Sequence, residues 1–180
     1  MIPVIIALAM DATSAQNIAV RADHALHAVT SKDRAGERSE RIRSVFDSLG
    51  SDTLDSLDQL YDQTVVFEDP LGELNGLEAL QTYYARLYER VQSVTFEYTD
   101  EIVAGDSHVL FWTMEVRPKK MNDGNKILVE GNSSIEFGPS NKVSRHRDYF
   151  DMGDLIYRHA FFVGRIIKKI DNRLRTQDHE

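Results

Sequence analysis

The chain has 180 residues, 42% of them hydrophobic and 28% charged, with a net charge of −8 and no cysteine. That length suits one domain able to enclose a modest cavity, and the acidic balance argues against the phosphate-neutralising surface a nucleic-acid partner needs. Without cysteine there are no disulfides, thiolate nucleophiles or thiolate zinc sites.

The start, Met1 to Met10 (MIPVIIALAM), is apolar like a signal-peptide core, but it is short and no Lys or Arg precedes it. A cytoplasmic location is expected, with export as the alternative. No run approaches the ~18 apolar residues of a membrane-spanning helix. Residues 1–37 read as an N-terminal extension, partly helical or flexible, with helical potential around Ile18 to Val29.

The domain proper is expected over 38–152. Ile42, Val45, Phe46 and Leu49 recur at helical spacing up to Gly50. Asp52 or Thr53 then stands ready to cap a second short helix carrying Leu54, Leu57, Leu60 and Tyr61. A short extended piece, Val65 to Phe67, runs into the turn Glu68-Asp69-Pro70-Leu71-Gly72. A third helix is expected from Leu77 to about Val91. The period then changes from 3.6 to 2, giving strands at Val94–Ala104, His108–Pro118, Lys126–Phe137 and Lys142–Asp151, joined by Gly- and Asn-containing turns suited to hairpins. Helices followed by a meander of strands is an α+β layout with the sheet wrapped around the N-terminal helices.

Residues 153–180 read as a C-terminal basic amphipathic helix and tail. Residues 154–175 carry a local charge of +4, leaving −12 on the remainder. Such a helix packs on its own sheet, docks on another subunit or lies on an anionic membrane surface; a membrane surface is the less favoured partner.

The segment Leu49 to Tyr84, with Tyr61-Asp62-Gln63-Thr64-Val65-Val66-Phe67-Glu68-Asp69-Pro70-Leu71-Gly72 and the helix holding Tyr83-Tyr84, resembles bacterial ketosteroid isomerases. The resemblance can be followed to Phe150. It implies the cone-shaped fold of the nuclear transport factor 2-like superfamily, a homodimer, and Asp69 as a general base that moves a proton next to a carbonyl. Asp69 also has a plain structural reading, in which an Asp before Pro makes the turn and holds nearby amides. Ketosteroid isomerase is itself the reference case of an oxyanion hole built from a tyrosine and a protonated aspartic acid. By resemblance those positions are Val45 and Ser133 here, so the resemblance does not carry over steroid isomerisation by that mechanism.

On the last strand, Ser144-Arg145-His146-Arg147-Asp148-Tyr149-Phe150-Asp151 is similar to the Glu-His-Trp-Asp pattern of SnoaL-like polyketide cyclases, which implies an acid/base role for Asp148 beside His146. Strand alternation puts Ser144, His146, Asp148 and Phe150 on one face and Arg145, Arg147 and Tyr149 on the other. If the first face looks inward, a histidine and a carboxylate are available for proton transfer, or simply satisfy each other. If the second does, two arginines suit an anion. Tyr83, Tyr84, Trp112, Ser133 and Phe150 are the candidate ligand-binding residues, in mostly apolar and aromatic walls around a small apolar ligand. The pattern implies neither a metal nor a cofactor. The function expected is that of a cofactor-independent isomerase, cyclase or dehydratase working by proton transfer, with a non-catalytic binding or dimeric interaction module as the alternative.

Overall fold

A computed structural model of the chain describes residues 12–157 together with 167, 169, 170 and 172. The chain divides into two compact units, Met1–Arg38 and Ser39–Glu180. Helix α1 covers Ala12–Asp47. Its charged stretch at 32–40 stays helical because Lys, Arg, Glu and Ala are good helix formers, which offsets the roughly 1 kcal/mol that Gly36 costs relative to alanine.

In the second unit Ile42, Val45 and Leu49 are buried in the core, with Phe46 packed beside them. Thr53 does not cap the segment that follows it. Its hydroxyl faces backwards, accepting from the Gly50 amide at 2.8 Å and donating to the Ser48 carbonyl at 2.7 Å. The expected second helix is a 3-10 segment, Leu54–Gln59, and the three-residue spacing of Leu54, Leu57 and Leu60 fits that tighter turn. Tyr61 belongs instead to strand β1, Tyr61–Asp69, which alternates to bury Tyr61, Val65 and Phe67.

Strand β2, Gly72–Asn75, pairs back on β1 across the Asp69-Pro70 turn, so the expected turn closes a hairpin. Gly76 then enters helix α2, Leu77–Tyr88, at φ +90°, which a side chain would strain, while its N–H donates to Val65 O at 2.8 Å. The long strands follow as β3 (Val91–Ala104), β4 (Ser107–Pro118), β5 (Ile127–Phe137) and β6 (Val143–Phe150).

The six strands form a curved, unclosed mixed sheet in the order β2-β1-β6-β5-β4-β3. All neighbours are antiparallel except β1 and β6, which run parallel. The architecture is therefore α+β. The core gathers Ile42, Leu57, Leu60, Phe67, Leu80, Leu110 and Ile135 between the helices and one face of the sheet.

The expected C-terminal helix begins as a short helix α3, Met152–Leu155, where the Asp151 carboxylate accepts the Gly153 N–H at 2.6 Å. Beyond 157 only 167, 169, 170 and 172 are described, all helical, and the remainder of that expectation lies outside the described residues, as does the signal-like start. No helix of the described residues is long and apolar enough to cross a membrane.

Candidate acid/base site

Register across the sheet assembles the site. Phe67, His146, Ile135 and His108 form one rung, Asp148, Ser133 and Leu110 the next, and Phe150, Gly131, Trp112 and Tyr98 a third. Val143 is also buried, across a register shift opposite Glu136 and Phe137, and beyond it the core face alternates: His146 is 1% exposed, while Arg145 lies on the solvent side.

The polar side chains on these rungs are connected. Trp112 donates its indole N–H to Ser133 Oγ at 2.9 Å, and Ser133 donates to Asp148 Oδ1 at 2.5 Å. His146 Nε2 lies 2.8 Å from the same Oδ1, and its Nδ1 lies 2.5 Å from the Tyr61 hydroxyl. Asp148 Oδ2 has no hydrogen-bond partner among the described residues.

Asp69 sits at the end of β1, one residue past the Glu68–Arg147 pairing, which brings it level with Asp148 on the parallel neighbour. Its Oδ1 accepts the amides of Leu71 at 2.7 Å and Gly72 at 3.2 Å, and its Oδ2 accepts the hydroxyl of Tyr83. Burial and the Asp69 carboxylate push the Tyr83 phenol far above its ordinary range, so it remains a donor. Asp69 thus does make the turn, as its structural reading expected, but it also engages a side chain of α2.

Both carboxylates border one cleft of about 190 Å³, lined by Asp69, Pro70, Arg147, Asp148, Tyr149 and Phe150. The two alternatives for β6 are not exclusive here, because at the rim of the sheet both Asp148 and Arg147 reach the cleft. Arg147 Nη2 pairs with Glu68 at 3.1 Å, and its guanidinium lies 4.7 Å from the Tyr149 ring centre.

His146 does not line this cleft; it stands behind Asp148. Of the five expected ligand-binding residues only Phe150 lines it. Ser133 and Trp112 are buried in the hydrogen-bonded support, with Trp112 6.2 Å from Phe150. Tyr83 reaches the site through Asp69. Tyr84 packs edge-on against Phe46, which also meets Phe96 and His146, so rings expected to wall a ligand cavity fill the interior by packing on one another. A larger cavity of about 610 Å³ opens between β2 and α2, lined by Gln63, Leu74, Thr82, Arg86 and the expected ligand-binding residue Tyr83 among others.

Tyr61 is a member of the site that sequence reasoning missed. A tyrosine buried on a strand needs a partner for its hydroxyl, and that requirement was the available signal for Tyr61. Among the described residues no group of three or more His, Asp or Glu side chains is placed to hold a metal.

This architecture is shared with solved structures. An NTF2-like protein of unknown function from Burkholderia pseudomallei is 14% identical, aligning over 68% of this chain and 97% of its own at a TM-score of 0.60. A protein with a ketosteroid isomerase-like fold from Catenulispora acidiphila, in complex with trimethylamine, is 14% identical over 71% of this chain and 95% of its own, TM-score 0.61. An LEH-like epoxide hydrolase from M. tuberculosis is 15% identical over 74% and 97%, TM-score 0.57. At these identities the likeness is one of fold. No curated protein matches the chain. The SnoaL-like domain matches residues 42–146, from the last turns of α1 to His146 on β6. With more than half of its length matched, the chain belongs to the SnoaL-like domain family.

Proposed function

We propose that the protein is a cofactor-independent acid/base catalyst of the isomerase, cyclase or dehydratase kind, acting on a small apolar carbonyl compound. The observation that carries this reading is the shared cleft: two carboxylates from neighbouring parallel strands border it, and one of them, Asp148, has an oxygen with no partner among the described residues. Membership of the SnoaL-like family supports it, as does the shared fold with an epoxide hydrolase.

The two carboxylates are not equivalent. Asp69, which the sequence resemblance made the base, already accepts three hydrogen bonds that engage both of its oxygens. Asp148 Oδ2 is the better proton acceptor. It takes a proton from the carbon next to the carbonyl, the carbonyl becomes an enolate with the Arg147 guanidinium at the cleft rim opposing its charge, and the proton returns to the same or another carbon.

The test is hydrogen–deuterium exchange at the α-carbon of a panel of cyclic ketones and 1,3-diketones in D2O, followed by NMR. Asp148→Asn should slow protein-dependent exchange by about 100-fold or more, and Asp69→Asn by less. Exchange that Asp148→Asn leaves intact would remove the reading. The second reading, a ligand-binding module without chemistry, is favoured by the full set of donors on Asp69; it predicts binding of such ketones with no exchange.

A further inference from the structure

We propose that Tyr61 is a positioning residue that holds His146 as the neutral tautomer with its proton on Nε2, so that Asp148 Oδ1 is committed to hydrogen bonds and Oδ2 is left for substrate. The inference rests on the acid/base reading of the cleft for its functional meaning, and on the hydrogen-bond geometry alone for the proton positions.

An ionised carboxylate only accepts hydrogen bonds, so the 2.8 Å contact between His146 Nε2 and Asp148 Oδ1 requires a proton on Nε2. The remaining question is the proton between His146 Nδ1 and the Tyr61 oxygen, 2.5 Å apart. If Nδ1 carried it, His146 would be an imidazolium and Tyr61 would accept from it. Tyr61 is fully buried, and among the described residues its hydroxyl has a hydrogen-bond partner only in His146. Its own proton would then have no acceptor, a buried donor left unsatisfied. If Tyr61 donates to Nδ1 instead, both contacts are satisfied: Tyr61 to His146, His146 to Asp148.

The surroundings favour the same choice. His146 lies edge-on to Phe67 at 5.1 Å and to Phe46 at 6.0 Å, and stacks on the Tyr61 ring at 5.8 Å, so aromatic carbon flanks the ring between its two hydrogen-bonded nitrogens. Burial and the charge of Asp148 keep Tyr61 protonated and therefore a donor. The Trp112–Ser133 arm reaches the same Oδ1 from the other side. Two donor chains thus end on one carboxylate oxygen and fix the rotamer that turns the other outward.

The experiment is two-bond proton–nitrogen NMR of the histidine rings in the full-length protein near neutral pH, with the His146 ring assigned by its loss in His146→Gln. The expected signature is a neutral ring with Nε2 protonated and Nδ1 shifted by an accepted hydrogen bond. In Tyr61→Phe the Nδ1 resonance moves to the position of a bare lone pair. An imidazolium, or a ring protonated on Nδ1, in the unmodified protein overturns the proposal whether or not the variants fold. So does an Nδ1 resonance that Tyr61→Phe leaves unmoved. Because this readout needs no substrate, it can fail while ketone exchange succeeds, or the reverse.

Discussion

A β-carbon on Gly131 would fall 2.3 Å from Cη2 of Trp112, with two more ring carbons at 2.7 Å. The indole can lie flat against β5 and reach Ser133 only because that position has no side chain. Gly131→Ala should therefore push Trp112 off its rung, cost about 1–3 kcal/mol of stability through overpacking, and break the indole bond to Ser133. Trp112 is the only tryptophan, so urea denaturation followed by its fluorescence reads both effects; an unchanged midpoint and emission maximum would show that the ring moves at no cost. Asp69, His146 and Asp148 could be found in the sequence because their cues are local: a residue before proline, and alternation along one strand. Tyr61 could not, since Leu54, Leu57, Leu60 and Tyr61 continue one apolar spacing and nothing nearby marks where the 3-10 segment gives way to strand. Its partner His146 is 85 residues away.

Glu101 on β3 gathers groups from two other elements, α1 and β4. Its Oε1 accepts the Ser39 hydroxyl at 2.6 Å and meets His108 Nδ1 of β4 at 2.9 Å, while its Oε2 takes Arg43 of α1 at 2.8 Å. His108 is fully buried, whereas the Arg43 side chain is 41% exposed. Removing the carboxylate strips a buried imidazole of its acceptor, a loss of about 1–3 kcal/mol, but removing the exposed cation costs only about 0–1 kcal/mol. Glu101→Ala should therefore be clearly more destabilising than Arg43→Ala in chemical denaturation, with Glu101→Gln between them because the amide retains an acceptor; equal losses would place the stabilisation in the exposed ion pair instead. At this scale the long strands were legible within one to three residues, because alternation over ten or more positions leaves little ambiguity. The hairpin partner β2 was not, as four residues with one half-buried leucine carry no period. Nor was the parallel pairing of β1 with β6, which depends on tertiary contact and nevertheless places Asp69 beside Asp148.

For the whole molecule, the α+β class could be read from the switch of hydrophobic period after α2, but the course of the site could not. Tyr84, expected in the wall of a ligand cavity, packs on Phe46 instead, while the two carboxylates border a cleft at the sheet rim. The acidic balance has a consequence for the folded protein as a whole. Asp62 is held below the usual carboxylate range by the Thr64 amide and hydroxyl and by Ser140 from the β5–β6 turn. Glu115 is lowered chiefly by Lys126, with Arg117 adding to it. Both carboxylates are more acidic folded than unfolded, so their contribution is complete above the ordinary range of about 4 and is lost as pH falls through the lowered values. The thermal midpoint should fall with acid in that window, and the double variant Asp62→Asn/Glu115→Gln should have the flatter curve there. Salt separates the two sites: it screens the exposed Lys126 and Arg117 pairs but hardly touches the neutral donors on Asp62. Raising ionic strength should therefore remove the Glu115→Gln effect and leave that of Asp62→Asn. Parallel curves for variant and parent at low salt would mean that neither contact distinguishes the folded chain from the unfolded one.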